Sequence, residues 1–161
     1  MQQRITTNLW FDGNAMEAAE YYCSIFKSSR IVSSADYTDA GPGEPGSVMV
    51  VEWELDGQRF VGINGGSQFQ FSEAVSLQVN CEDQEEVDYY WERLSDGGEE
   101  GPCGWLKDRY GLSWQVTPAG MDDLFADPDR ERATRAMKAM FDMKKLDIAA
   151  LRAAADGVPA A

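Results

Sequence analysis

The sequence predicts an α+β protein in which two copies of one strand–helix unit are followed by a helical tail. Three observations lead to this fold class. Residues 9–26 and 77–94 repeat one another at a shift of 68 positions (77 minus 9), each with an apolar start, a polar turn and an acid-rich helix containing a Tyr-Tyr pair. Short alternating runs follow each helix, as in half-buried strands. After Pro118, the apolar spacing becomes helical.

The first copy begins with a predicted strand over residues 5–11, and Asn14 is positioned to cap the helix that follows over 15–27. An Asp56-Gly57 pair between two apolar runs predicts a tight hairpin. A Pro/Gly-rich loop over residues 39–47 precedes that hairpin. The remaining strands of this copy are predicted over residues 31–38, 48–55 and 59–64.

The elements of the second copy and of the tail are predicted from the same kinds of pattern. The elements predicted for the second copy are a strand over 74–80, a helix over 83–96 and a hairpin of strands 103–108 and 112–117. The tail is predicted to form helices over 129–144 and 147–156, the first with a Met-rich stripe. Such a stripe could bind a partner groove. We favour docking on the protein's own sheet or on a sister subunit, because apolar stripes usually pack within a fold.

Composition excludes several classes of function. A net charge of −14 repels phosphate backbones and anionic lipids, so neither nucleic acid nor a membrane is an expected partner. No apolar run reaches bilayer length, and the first residues lack a signal-peptide pattern, which predicts a cytoplasmic protein. Three widely spaced cysteines indicate reduced thiols. The chain has no histidine, which removes the commonest metal ligand and the commonest general base.

Four segments resemble PhnB-like proteins of the vicinal oxygen chelate superfamily, which includes glyoxalase I and bleomycin-resistance proteins. They are W-F-D-G-N-A-x-E-A-A-x-Y-Y at 10–22, I-N-G-G at 63–66, D-Q-E-E-V-D-Y-Y-W at 83–91 and C-G-W-L-K-D-R-Y-G-L-S-W-Q at 103–115. Members of this branch are often labelled demethylubiquinone methyltransferases. We find no Gly-rich strand-to-helix turn that would hold a nucleotide-like cofactor, so the sequence does not support that chemistry and no cofactor is expected.

The resemblance implies a glyoxalase-like domain over residues 1–118, with a helical extension over 119–157. Within the domain it implies paired βαβββ modules, 5–64 and 74–117, that form a cupped mixed sheet around a cavity. It also implies a homodimer.

Metal-dependent relatives hold a divalent ion with His, Gln or Glu side chains from the first and last strands of each module. The resemblance places neutral residues at those positions: Thr6, Asn8, Asn64, Ala74, Ser76 and Gln115. Hydroxyls and amides are weak ligands for zinc, manganese or iron. We therefore expect no metal and a cavity lined by neutral hydrogen-bonding groups.

Strand alternation then predicts which side chains face the cup. The more apolar face of each strand is expected to pack on the helix. The predicted pocket-lining residues are Thr6, Asn8, Trp10, Asn64, Ser76, Gln78, Ser113 and Gln115. These groups suit a flat or aromatic small molecule, although they could equally be ordinary core polar residues with satisfied hydrogen bonds.

Two further features are weak candidates for catalysis. Cys103 lies near Lys107 and Arg109, whose charges could lower its pKa, but a packed thiol is the favoured interpretation. Glu52 and Glu54 share one strand face and could form a carboxylate pair, although a solvated face is favoured. Three hypotheses remain open: a small-molecule binding protein, an atypical lyase, isomerase or dioxygenase, and an interaction module that uses the tail.

Overall fold

A computed structural model describes residues 4–158 and shows two compact units, one ending at Phe71 and the other beginning at Ser72. The first unit contains β1 (Thr7–Phe11), α1 (Ala15–Ile25), β2 (Arg30–Asp36), β3 (Val48–Leu55) and β4 (Gln58–Asn64). The second contains β5 (Ser76–Cys81), α2 (Gln84–Ser95), β6 (Glu99–Glu100), β7 (Trp105–Lys107), β8 (Ser113–Pro118), α3 (Met121–Phe125), α4 (Arg130–Phe141) and α5 (Ile148–Ala155). No helix in residues 4–158 combines the length and the apolar composition needed to cross a bilayer.

Each unit contains a four-stranded mixed sheet with the same topology, and both are α+β. The strand orders are β1-β4-β3-β2 and β5-β8-β7-β6. In each sheet the first strand pairs in parallel with the last, and the other pairings are antiparallel. The 68-residue repeat of the sequence therefore corresponds to two βαβββ modules.

In the first unit, α1 packs on one face of its sheet. Its inward residues are small or aromatic, and Ala15, Ala18 and Tyr22 are almost fully buried. The indole of Trp53 stacks between Tyr22 and Phe60, with ring centroids 6.2 and 5.8 Å apart. Large stacked rings fill the space that the small helix residues leave, and this forms the core of the unit.

The hairpin predicted at Asp56-Gly57 joins β3 to β4. Both residues have positive φ, 46° and 82°, as a type I′ turn requires. The corresponding β7–β8 connection is built differently. There the carboxylate of Asp108, only 2% exposed, accepts hydrogen bonds from the backbone N–H groups of Tyr110 and Leu112 and from the indole of Trp114.

The tail docks on the second unit. Its helices enclose a small core of Met121, Leu146 and Leu151. The side chain of Gln84, at the start of α2, donates to the Leu146 carbonyl at 3.1 Å and accepts from the Ile148 backbone N–H at 2.9 Å. Met140 and Met143 pack against this core, whereas Met137 and Phe141 remain exposed. Helix α4 packs chiefly on α5 and α3, rather than on the sheet that the sequence interpretation favoured.

Strand β6 and the start of α1 differ from the sequence prediction. The short strand β6 lies in a stretch that was too acidic and too short to show alternation, and it forms because Glu99 and Glu100 pair with Lys107 and Leu106. Asn14 begins α1 without a side-chain hydrogen bond to the helix. The amide of Asn64 instead accepts from the Ala15 backbone N–H at 2.9 Å.

Candidate functional site

A cavity of about 650 Å³ lies against the second sheet, on the face opposite α2. Side chains from β7 and β8 form its floor: Trp105, Lys107, Ser113, Gln115 and Thr117. The strand register explains this grouping. Gln115 lies opposite Trp105, and Ser113 lies opposite Lys107, so all four project to the same side of the sheet.

Ser113 is the most unusual residue of the floor. It is 1% exposed, and its hydroxyl has no hydrogen-bond partner among the described residues. Two positions along β8, the Gln115 amide donates to the Ser76 hydroxyl at 2.8 Å. A buried hydroxyl without a partner is costly, so such groups often mark a place where a ligand or water binds.

The wall of the cavity comes from α4 and from the turn before β7. Met140 and Phe141 contribute apolar surface at the end of the helix, and Gly101, Pro102 and Cys103 contribute the turn. The turn is fixed to the tail, because the backbone N–H groups of Cys103 and Gly104 donate to the carbonyls of Met143 and Lys144 at 2.8 and 2.7 Å. The tail therefore shapes the cavity directly.

The charged residues of the cavity form a paired rim. Lys107 Nζ lies 2.6 Å from Glu73 Oε1. This hydrogen bond and the charge of Lys107 lower the pKa of Glu73, and the same contact raises the pKa of Lys107. Glu100 accepts from the Trp91 indole at 3.0 Å and lies 3.5 Å from Lys144 Nζ. Glu99 completes the acidic side of the rim.

Cys103 lines the cavity, but its surroundings favour the neutral thiol. Partial burial raises its pKa. The two cations that could have lowered it are engaged elsewhere, since Lys107 bonds Glu73 and Arg109 forms an ion pair with Asp96. The structure thus supplies no feature that would activate Cys103 as a nucleophile.

Glu52 and Glu54 lie on the helix-free face of the first sheet. In the strand register, Glu52 on β3 lies opposite Val61 on β4, and Val61 lies opposite Asn8 on β1. Both glutamates therefore share a face with Asn8 and Trp10. Each glutamate is paired with an arginine: Arg59 lies 3.3 Å from Glu52, and Arg30 lies 3.3 Å from Glu54. These are exposed surface ion pairs rather than two carboxylates that share a proton.

Asn64 requires a correction. Its side chain lies on the helix side of the first sheet, together with Phe60 and Gly62, and is 8% exposed. Its amide accepts from the Ala15 N–H and donates to the Val48 carbonyl at 2.9 Å. The residue therefore joins the helix start to the sheet and does not line the helix-free face.

The other predicted residues of the first unit bond locally. The Asn8 amide donates to the carbonyl of Thr6 at 3.1 Å, and the Trp10 indole donates to the carbonyl of Gly66 at 2.8 Å. The Trp10 ring also packs edge-on against Phe69, with centroids 5.1 Å apart. A side chain at Gly65 would collide with this ring, which accounts for the glycine at that position.

In the second unit the register brings four predicted residues to one face. Ser76 pairs with Ser113, and Gln78 pairs with Gln115. The Gln78 amide, which is exposed, donates to the Asn80 side chain at 2.7 Å. Ser113 and Gln115 line the cavity, and Ser76 adjoins it through its bond to Gln115.

The donor groups at the positions implied for a divalent ion do not fit a metal site. Asn64 faces the wrong side, and Ser76 and Gln115 bond each other. Among residues 4–158 there is no group of three or more histidine, cysteine or carboxylate side chains that could hold an ion. Neutral hydroxyl and amide oxygens alone are poor ligands for transition metals.

Sequence reasoning missed the aromatic and acidic parts of the cavity. Trp105 was recognised within a motif but not assigned to the pocket, although its alternation with Lys107 could have indicated this. Phe141 and Met140 come from the tail, which no sheet alternation can connect to β8. Glu73 lies in the connection before β5, where the sequence carries no positional signal.

Comparison with known proteins gives a consistent picture. A family model described as 3-demethylubiquinone-9 3-methyltransferase matches residues 3–117. A Bacillus cereus PhnB structure, described by the same methyltransferase name, is 40% identical and has a TM-score of 0.65. The match covers 73% of this chain and 100% of that one. No match was found among the curated proteins.

More distant structures share the fold. A Pseudomonas aeruginosa protein is 17% identical with a TM-score of 0.61, over 73% of this chain and 98% of that one. The fosfomycin resistance protein FosX of Listeria monocytogenes is 15% identical with a TM-score of 0.51, over 76% of this chain and 98% of that one.

Proposed function

Because this chain belongs to the PhnB-like 3-demethylubiquinone-9 3-methyltransferase family of the vicinal oxygen chelate superfamily, we propose that the cavity of its second unit binds a small organic molecule without a metal ion. The single observation that carries this proposal is the buried, unpartnered hydroxyl of Ser113 at the floor of a cavity of about 650 Å³. That volume suits a small organic ligand, and the hydroxyl, which lies just beneath the cavity surface, provides one directed polar contact once the Ser113 side chain rotates toward the ligand.

The proposed metal-free binding differs from that of metal-dependent members of the fold. One FosX structure from Listeria monocytogenes was determined with Mn(II) and sulfate. The present chain has no histidine, and its cavity offers Ser113, Gln115 and Thr117 on the floor. Neutral groups can orient a ligand by hydrogen bonds but supply neither a Lewis acid nor a strong base.

The methyltransferase reaction in the family name is not part of the proposal. The β1–α1 turn reads Asp12-Gly13-Asn14, which does not provide the glycine-rich anion cradle of nucleotide-like cofactors. Packing of Met140 and Met143 against the core of the second unit disfavours a role in which the Met-rich helix binds another protein. A homodimer remains our prediction from the resemblance, and a cytoplasmic location remains our prediction from the composition of the chain.

Two measurements test the proposal: native mass spectrometry of protein taken directly from cells, and a ligand-observed NMR screen with fragments of mixed charge. We expect bound fragments whose affinity falls about threefold to tenfold in Ser113→Ala, because one hydrogen bond to the ligand is lost. The same variant should be as stable as the wild type or slightly more stable, because it removes a buried hydroxyl that has no partner.

Ser34→Ala, on the exposed strand β2, is the matched control and should leave fragment binding unchanged. A screen without hits at millimolar concentration, together with protein from cells that carries no bound molecule, would contradict the proposal. Fragments that bind Ser113→Ala as tightly as the wild type would also contradict it, because the Ser113 hydroxyl would then contribute nothing to binding.

A further inference from the structure

We infer that the end of α4 and the acidic rim select the ligand of this cavity, and that the ligand is a planar aromatic cation. The inference rests on the proposed function, because it names the chemical class of molecule that the same cavity takes. It depends on two observations that the proposed function does not use: the aromatic wall and the sign of the rim charge.

The cavity combines two aromatic residues from distant parts of the chain, one on its floor and one on its wall. Trp105 lies on β7, and Phe141 is the last residue of α4. Both line the cavity together with Met140. Phe141 is 64% exposed, so it offers apolar ring surface that a ligand can cover. A flat aromatic ligand in the cavity would bury that surface and gain stacking contacts with the rings that line it.

The wall is also an addition to the family pattern. The family match ends at residue 117, whereas Met140 and Phe141 lie beyond it. The part of the cavity that α4 supplies therefore belongs to this chain's own extension. This predicts that ligand choice depends on the tail, while the hydrogen-bonding floor belongs to the shared module.

The rim favours positive charge. Three carboxylates line the cavity, Glu73, Glu99 and Glu100, against a single lysine in the lining. Lys107 pairs with Glu73 and Lys144 pairs with Glu100, so Glu99 gives the rim its net negative charge. An anionic ligand would approach an acidic rim on a protein of net charge −14, whereas a cation gains attraction from both the rim and the aromatic faces.

Three anthracene derivatives with different charge on one ring system test the inference. Each carries a single substituent at the central ring carbon: aminomethyl as the cation, hydroxymethyl as the neutral form and carboxylate as the anion. Fluorescence titration of the full chain at neutral pH should give affinities in the order cation, neutral, anion. Added salt should weaken the cation most, because surface charge is screened.

Two variants assign the effect to the wall and the rim. Phe141→Ala should weaken the cation and the neutral compound about threefold to tenfold, since stacking is lost. Glu99→Gln should weaken the cation about twofold to fivefold and leave the neutral compound unchanged. Met137→Ala, one turn earlier on the same helix and 41% exposed, is the matched control and should change neither.

The outcomes distinguish this inference from the proposed function. Equal affinities, tighter binding of the anion, or a Phe141→Ala variant with wild-type affinity would overturn the inference. If none of the three compounds binds while fragments still bind in a Ser113-dependent way, the inference fails and the proposed function stands. If neither compounds nor fragments bind, both fail.

Discussion

The two sheets share one strand order but use their helix-free faces differently. On the first sheet, Glu52 and Glu54 pair with arginines and form an exposed ionic surface. On the second, the buried hydroxyl of Ser113 has no partner within residues 4–158, and α4 closes one side to form a cavity. The duplication thus provides two similar scaffolds, and the local side chains and the tail decide which one carries a site.

The two units also stabilise their hairpin turns differently. The β3–β4 turn depends on backbone conformation, with positive φ at Asp56 and Gly57. The β7–β8 turn depends on the buried carboxylate of Asp108, which organises the loop beside the cavity floor. The unit that holds the cavity therefore relies on one buried carboxylate at this turn, whereas the first unit relies on backbone conformation.

The largest expected effect follows from that difference. Asp108→Ala removes the acceptor of three hydrogen bonds, from Tyr110, Leu112 and Trp114, and should lower the free energy of unfolding by about 3 kcal/mol or more. Urea denaturation followed by tryptophan fluorescence measures this. Asp108→Asn keeps one acceptor oxygen and should lose less. A loss below about 1 kcal/mol in Asp108→Ala would show that the loop does not depend on this carboxylate.

A smaller loss of stability is expected when the side-chain amides of Asn64 and Gln115 are removed, and it should differ between the two. Asn64→Ala removes the partners of the Ala15 N–H and the Val48 carbonyl and should cost about 2 kcal/mol of stability. Gln115→Ala breaks one half-buried bond to Ser76 and should cost about 1 kcal/mol or less while it weakens ligand binding. Thermal and urea denaturation of both variants checks the order. Equal stability losses would contradict the different roles assigned to the two amides.

The smallest effect is expected at the paired glutamates. Glu52→Gln and Glu54→Gln each weaken an exposed ion pair and should change the free energy of unfolding by less than about 0.5 kcal/mol, with no effect on ligand binding. The same denaturation and fragment-binding measurements apply. If either variant abolished binding, a site on the first sheet would have to be considered instead.

Much of the fold was accessible from local patterns. The repeat, the Asp56-Gly57 turn and the helix spacing predicted the elements of both modules, except β6, to within a few residues, because period and turn chemistry are local properties. Strand alternation also predicted that Ser113 and Gln115 share a face, and both line the cavity. Asn64 was misplaced because it was assigned by family position, whereas a helix N-terminus supplied its partner.

The sequence by itself determined the duplication, the α+β class, the absence of histidine and the acidic charge. These depend on composition and on spacing along the chain. Only the tertiary structure decided that Phe141 and Trp105 line one cavity, that Lys107 is held by Glu73 and that the Ser113 hydroxyl has no partner among the described residues. Contacts between distant segments arise from the docking of the tail and from the strand register, and neither leaves a periodic signal in the chain.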